Sequence, residues 1–167
     1  MVTTIRISGI EEESIVDGPG LRYVLFTQGC PHNCPGCHNP ETHAFTGGRL
    51  ISQDEAFADI RKNPLTRGVT FSGGEPFAQS DALTLLAVRL KKAGYHLTCY
   101  TGYVFEDLFA DARFHPLLEQ LDLLIDGPFI LAQKSLILRF RGSRNQRILD
   151  VPRSLAAGAA VLRPLHA

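Results

Sequence analysis

Cys30, Cys34 and Cys37 lie within eight residues, in the run Gly29-Cys30-Pro31-His32-Asn33-Cys34-Pro35-Gly36-Cys37-His38-Asn39, and space their thiols as C-x3-C-x2-C. Sulfurs gathered this closely can share one inorganic centre. The fourth cysteine, Cys99, stands alone, which is not the pattern of a disulfide framework. A tetrahedral structural zinc takes four ligands, and His32 or His38 could supply the fourth. Three thiolates on a [4Fe-4S] cube instead leave one iron without a protein ligand and able to bind a substrate. Cys99 sits inside an expected strand, where a thiol acts as a small buried hydrophobe.

A second candidate is Ser72-Gly73-Gly74-Glu75-Pro76. Paired glycines remove side chains where a backbone must approach a ligand, and Glu75 adds a negative charge. An ordinary tight turn is the alternative. Thr101 and Asp126 each end an expected strand, where they could contact a ligand or cap the helix that follows.

The elements that must position these groups alternate. Arg22 to Thr27 is a β-branched and aromatic run that feeds the cysteine loop directly. Ser52, with Glu55 three residues on, starts a capped helix that Asn63-Pro64 closes. Strands are expected at Gly68 to Ser72, His96 to Thr101, Leu121 to Asp126 and, shorter, Gln146 to Asp150. A helix over Ser80 to Lys92 carries Leu83, Leu86, Ala87 and Leu90 at helical spacing and stops before Gly94. Another covers roughly Phe105 to Leu118, and Ser154 to Ala167 is a last helix or a frayed tail. This α/β alternation predicts a parallel sheet curling into a partial, open β/α barrel, with too few units to close to eight. The chemistry-bearing segments then all follow strand C-termini, on one face.

With 167 residues, 44% of them hydrophobic, the chain is expected to form a single domain over 1–167. Seventeen Lys plus Arg balance seventeen Asp plus Glu, and no charged tail asks for nucleic acid or a membrane surface. No apolar run reaches the roughly 18 residues of a spanning helix, so a cytoplasmic location is expected.

The cysteine loop resembles the signature of the radical S-adenosylmethionine superfamily. Ile15 to Arg22 before it and Cys37-His38-Asn39 at its end are similar to the activating enzymes of glycyl-radical proteins. Thr101-Gly102-Tyr103, Asp126-Gly127-Pro128-Phe129 and Arg141-Gly142-Ser143-Arg144-Asn145-Gln146 resemble the small branch of that family. Pro35 replaces the aromatic residue of many superfamily members, as this branch often does.

The resemblance implies that Cys30, Cys34 and Cys37 ligate a [4Fe-4S] cluster whose open iron chelates S-adenosylmethionine, which is cleaved to a 5′-deoxyadenosyl radical. It places Gly36, Cys37 and His38 near the adenine, Gly73, Gly74 and Glu75 near the cofactor amino group, and Thr101 and Asp126 at its ribose or carboxylate. His32 and His38 are expected to support the loop rather than to catalyse. Asp17 to Arg22 is expected to form a contact surface near a substrate glycine. The implied partners are an anaerobic ribonucleoside-triphosphate reductase, as the large glycyl-radical protein, and a flavodoxin or ferredoxin as electron donor. A pyruvate formate-lyase type partner is the runner-up, and a zinc-stabilised binding module is the alternative from a different class.

Overall fold

A computed structural model describes residues 4–164; the last three residues of the expected C-terminal segment lie outside them. One seven-stranded sheet organises the chain. Its strands are β1 (Thr4–Ser14), β2 (Arg22–Thr27), β3 (Arg49–Ser52), β4 (Gly68–Gly73), β5 (His96–Tyr100), β6 (Leu123–Asp126) and β7 (Arg147–Asp150), in the order β3-β1-β2-β4-β5-β6-β7.

The four central strands pair in parallel, β2 with β4, β4 with β5 and β5 with β6. The edges do not. β1 runs antiparallel to both β2 and β3, and β7 runs antiparallel to β6. The expected all-parallel sheet is therefore corrected at both sides. The cause lies in the connections, because a parallel return needs a crossover, usually a helix. The chain between β6 and β7 has no α-helix, only a short 3-10 turn at Leu131–Gln133, and comes straight back. The two missed strands, β1 and β3, had a signal in part: Thr4-Ile5-Arg6-Ile7-Ser8 alternates with period two, and Ile5 and Ile7 are fully buried.

Helices α1 (Gln53–Ile60), α2 (Ser80–Lys92), α3 (Phe105–Ala110), α4 (His115–Leu118) and α5 (Val151–Ala157) complete the fold. The Ser52 hydroxyl caps α1 by accepting from the Glu55 amide at 3.0 Å, as its spacing predicts. The single helix expected over 105–118 is broken. Asp111 turns to φ −110°, ψ 110° and caps a 3-10 turn, and Pro116 has no amide hydrogen to continue the ladder. Helix α5 is capped by Asp150 and ended by Gly158 in a left-handed conformation, so only Ser154 to Ala157 of the expected C-terminal segment are helical, and Leu162 instead bridges to Leu149 of β7.

Period two on the strands separates two layers. Tyr23, Leu25, Val69, Phe71, Leu97, Cys99 and Leu124 join Ile60, Leu83, Leu86, Leu90 and Leu108 of the helices in one buried core. Truncating any of these leucines to alanine is worth about 2–5 kcal/mol. The alternate residues turn the other way. At the start of β2 that layer holds Arg22, only 1% exposed, which donates to Thr70 Oγ1 at 2.7 Å and to the carbonyls of Pro19, Val69 and His96 at 2.8, 2.9 and 3.0 Å. Burial pushes its pKa down to about 10. Gly68 opposite must lack a side chain, since a Cβ there would stand 2.4 Å from Arg22 Nη1. Arg22 thus plugs the N-terminal end of the sheet and leaves the C-terminal end open.

Candidate functional site

At that open end a cavity of about 450 Å³ lies over Phe26, Ser72 and Tyr100, within the usual range of small-molecule sites. The segments that follow β2, β4, β5 and β6 wall it: Cys30, Cys34 and Cys37, then Gly73 and Gly74, Thr101 and Gly102, and Gly127. Ligand sites of parallel sheets form here, where loops leave strand C-termini.

The cysteine loop is held at its base. Gly29 and Cys30 donate to the carbonyls of Thr42 and His43 at 2.7 and 3.1 Å, and Glu75 donates to the Gly29 carbonyl at 2.8 Å. The buried Gln28 amide donates to the carbonyls of Glu41 and Ala44 at 3.0 and 2.6 Å. All three thiols are free and partly exposed. Burial pushes the Cys30 thiol up, and the backbone amides of His32 and Asn33 at its sulfur work in the other direction. The Asn39 amide donates to Cys37 Sγ at 3.4 Å.

This donor set fits an iron–sulfur cluster. Three sulfurs on one loop, with amides directed at two of them, suit thiolate ligation and leave an open cavity beside it. Among the described residues no three His, Cys, Asp or Glu side chains converge as a single-ion site. A cube takes one thiolate per iron, so its ligands surround a volume instead of meeting at a point. Cys99 is fully buried in the core, where desolvation raises its thiol well above the ordinary range.

Of the other expected contacts, Cys37, His38, Gly73, Gly74 and Thr101 line the cavity. Gly36, Glu75 and Asp126 do not. A Cβ on Gly36 would meet the Leu131 side chain at 2.8 Å. The Glu75 carboxylate is fully buried and accepts from the Thr101 hydroxyl at 2.8 Å and from the amides of Gly102 and Phe77 at 2.8 and 2.9 Å. Asp126, also fully buried, accepts from the Phe105 amide at 2.8 Å and pairs with Arg147 at 2.5 Å. These carboxylates are committed to holding strand ends and a helix start. Thr101 spends its hydroxyl on Glu75, and its amide donates to the Ile125 carbonyl at 3.0 Å.

The glycine pair also has a tighter duty than ligand clearance. Gly73 has φ +92°, and a Cβ there would stand 2.5 Å from the Thr27 nitrogen; on Gly74 it would stand 2.4 Å from the Gly29 carbonyl oxygen. These glycines let β4 end against the root of the cysteine loop. On the opposite wall stand Phe129, Leu138, Phe140, Arg141, Gly142 and Gln146. Motif resemblance singled out parts of this segment without giving it a role. Asp17 also reaches the cavity, its carboxylate accepting from the Ser14 hydroxyl at 2.5 Å.

A family profile described as "4Fe-4S single cluster domain" matches residues 16–149. The anaerobic ribonucleoside-triphosphate reductase-activating protein of Vibrio cholerae is 37% identical over 142 residues, covering 80% of this chain and 90% of that one. Its namesake from Salmonella typhimurium is 33% identical over 140 residues, covering 79% and 90%. The pyruvate formate-lyase-activating enzyme of Staphylococcus aureus is 36% identical over 161 residues, covering 90% of this chain but 63% of that one. A solved structure, QueE from Escherichia coli, aligns at 23% identity and TM-score 0.47 over 59% of this chain and 52% of its own. With its cysteine loop inside the matched span, this chain belongs to the 4Fe-4S single-cluster family, alongside the anaerobic ribonucleoside-triphosphate reductase-activating proteins.

Proposed function

We propose that this protein is a radical S-adenosylmethionine enzyme that cleaves the cofactor reductively at a [4Fe-4S] cluster and generates a glycyl radical on an anaerobic ribonucleoside-triphosphate reductase. One observation carries the reading: three free thiols and a glycine-rich strand end wall one cavity, in a chain 37% identical over 80% of its length to an activating protein of that reductase.

Cys30, Cys34 and Cys37 would hold the cluster. When bound, the cluster would supply the electron that breaks the sulfur–carbon bond of S-adenosylmethionine. The chain's own work is placement and exclusion of water. The backbone at Gly73, Gly74 and Thr101, with Cys37 and His38, would seat the cofactor against Phe26 and Tyr100. Asp17 and its flanking segment face the same cavity and would receive the substrate glycine. That glycine Cα must come within roughly 3–3.5 Å of the reacting carbon.

The central strands follow one another in sequence order, β2-β4-β5-β6, with their connecting helices packed on one layer. This one-way winding supports a partial barrel open toward the cavity. The reductase activators match along 90% of their own length and the lyase activator along 63%, which favours the reductase as partner. A flavodoxin or ferredoxin is the proposed electron donor. Among the described residues no helix is long and apolar enough to cross a membrane, and a cytoplasmic location is proposed on the same footing.

The test is electron paramagnetic resonance on the reductase after anaerobic incubation with reduced protein and S-adenosylmethionine. A glycyl signal is expected, and it should vanish when the radical-site glycine of the reductase is replaced by alanine. No signal on wild-type reductase, or one that survives the replacement, overturns the assignment.

A further inference from the structure

We propose that Arg141 is the anion-binding group of the cavity and receives the carboxylate at the amino-acid end of S-adenosylmethionine; this rests on the function proposed above. Arg141 is the one Lys or Arg among the described residues that line the cavity. Its Nη1 donates to the Gln146 carbonyl at 3.2 Å, while its Nε is shielded from water and has no partner. No carboxylate of the described residues pairs with it, and Asp17, the one carboxylate in the lining, is engaged by Ser14. A buried donor without an acceptor is costly, and it points to a ligand that supplies one. The Nε and Nη2 edge left over is the planar pair that takes a carboxylate through two parallel bonds.

The surrounding chain is built to hold that edge still. Gln146 Oε1 accepts from the amides of Gly142 and Ser143 at 2.9 and 3.2 Å, and its amide group donates to the Gly127 carbonyl at 3.2 Å. Ser143 donates to Asn145 Oδ1 at 2.6 Å, and Asn145 donates to the Pro128 carbonyl at 2.7 Å. Just before Arg141, Phe140 takes φ +63°, a conformation that costs a non-glycine residue roughly 1 kcal/mol or more and is kept where its surroundings demand it. Phe140 and Arg141 both face the cavity as a result.

Charge selects the carboxylate end of the cofactor, because the carboxylate is the one anionic group of S-adenosylmethionine. A Cβ on Gly142, the next residue, would lie 3.3 Å from His38 Nε2 and 3.2 Å from the Phe129 ring, so this wall meets the cysteine loop beside Cys37. Phe129 and Phe140 line the same cavity as Arg141, and their apolar rings lower the local dielectric, which strengthens the pull of the guanidinium on an anion. His43, whose Nε2 is also buried without a partner, offers a single nitrogen and not a fork.

The experiment is equilibrium titration of the cluster-loaded protein with S-adenosylmethionine and with 5′-methylthioadenosine, which keeps the adenosyl sulfur but has no carboxylate. R141Q is expected to weaken S-adenosylmethionine about ten- to hundredfold and to leave methylthioadenosine unchanged. R141K, which keeps the charge without the fork, is expected to recover part of the loss and serves as the test if R141Q fails to retain its iron. Unchanged affinity for S-adenosylmethionine, or an equal loss for both ligands, overturns the role of Arg141. If the wild-type protein binds neither ligand, the proposed function is what fails.

Discussion

His32 Nε2 stands 2.5 Å from Glu75 Oε1 and so ties the middle of the cysteine loop to the end of β4. Tyr103 meets the same imidazole edge-on, with ring centroids 4.6 Å apart. Because Glu75 also receives Thr101, Gly102 and Phe77, one carboxylate joins the loop to the ends of β4 and β5.

Glu75→Ala is therefore expected to strand several buried donors at once and to cost about 3–5 kcal/mol of stability. Urea unfolding of the iron-free chain measures this directly. In the loaded protein the same variant should release iron to a chelator faster. An unchanged release rate would show that the loop does not depend on this tie.

Cys30→Ala, Cys34→Ala and Cys37→Ala should each abolish assembly of an intact cluster, read as iron and labile sulfide after anaerobic reconstitution. Cys99→Ala should keep the full iron content. It should lower stability by about 1 kcal/mol, since it removes only a small buried group from the core. A colourless Cys99 variant would count against three-thiol ligation.

Gly74→Val is expected to disturb the cluster as well as cofactor binding. The added Cβ meets the Gly29 carbonyl at 2.4 Å and the Thr42 carbonyl at 3.0 Å, both of them backbone at the root of the cysteine loop. Full iron loading combined with weak S-adenosylmethionine binding would mean that the loop root yields more easily than this packing implies.

His96 gives the fold a pH dependence at the end away from the cavity. Burial, and then the positive charge of Arg22, push its pKa down to about 4 from the ordinary 6.5; Asp122 acts the other way, and Lys91 and Arg163 act with Arg22. Below 6.5 the unfolded chain takes a proton that the folded one refuses. Stability is thus fully present above about pH 6.5 and falls toward pH 4. The ring is only part-buried, which discounts the loss to on the order of 1–2 kcal/mol. Chemical denaturation at pH 4.5 and pH 7 should show this slope, and His96→Gln should flatten it.

The thiol spacing needed no tertiary information, because C-x3-C-x2-C is a property of one loop. The four central strands and α2 were equally open to reading, since β-branched runs and 3.6-residue periodicity are local signals. Edge direction was not: β7 turns back on β6 because its connection has no crossover helix, which periodicity does not report. Nor was the use of the carboxylates. Glu75 and Asp126 end their strands where a ligand contact was expected, yet their partners come from His32, Thr101, Phe105 and Arg147, 21 to 43 residues away. Folding alone brings those donors within 3 Å, and a buried carboxylate must turn toward the donors it meets, because leaving water without them costs several kcal/mol.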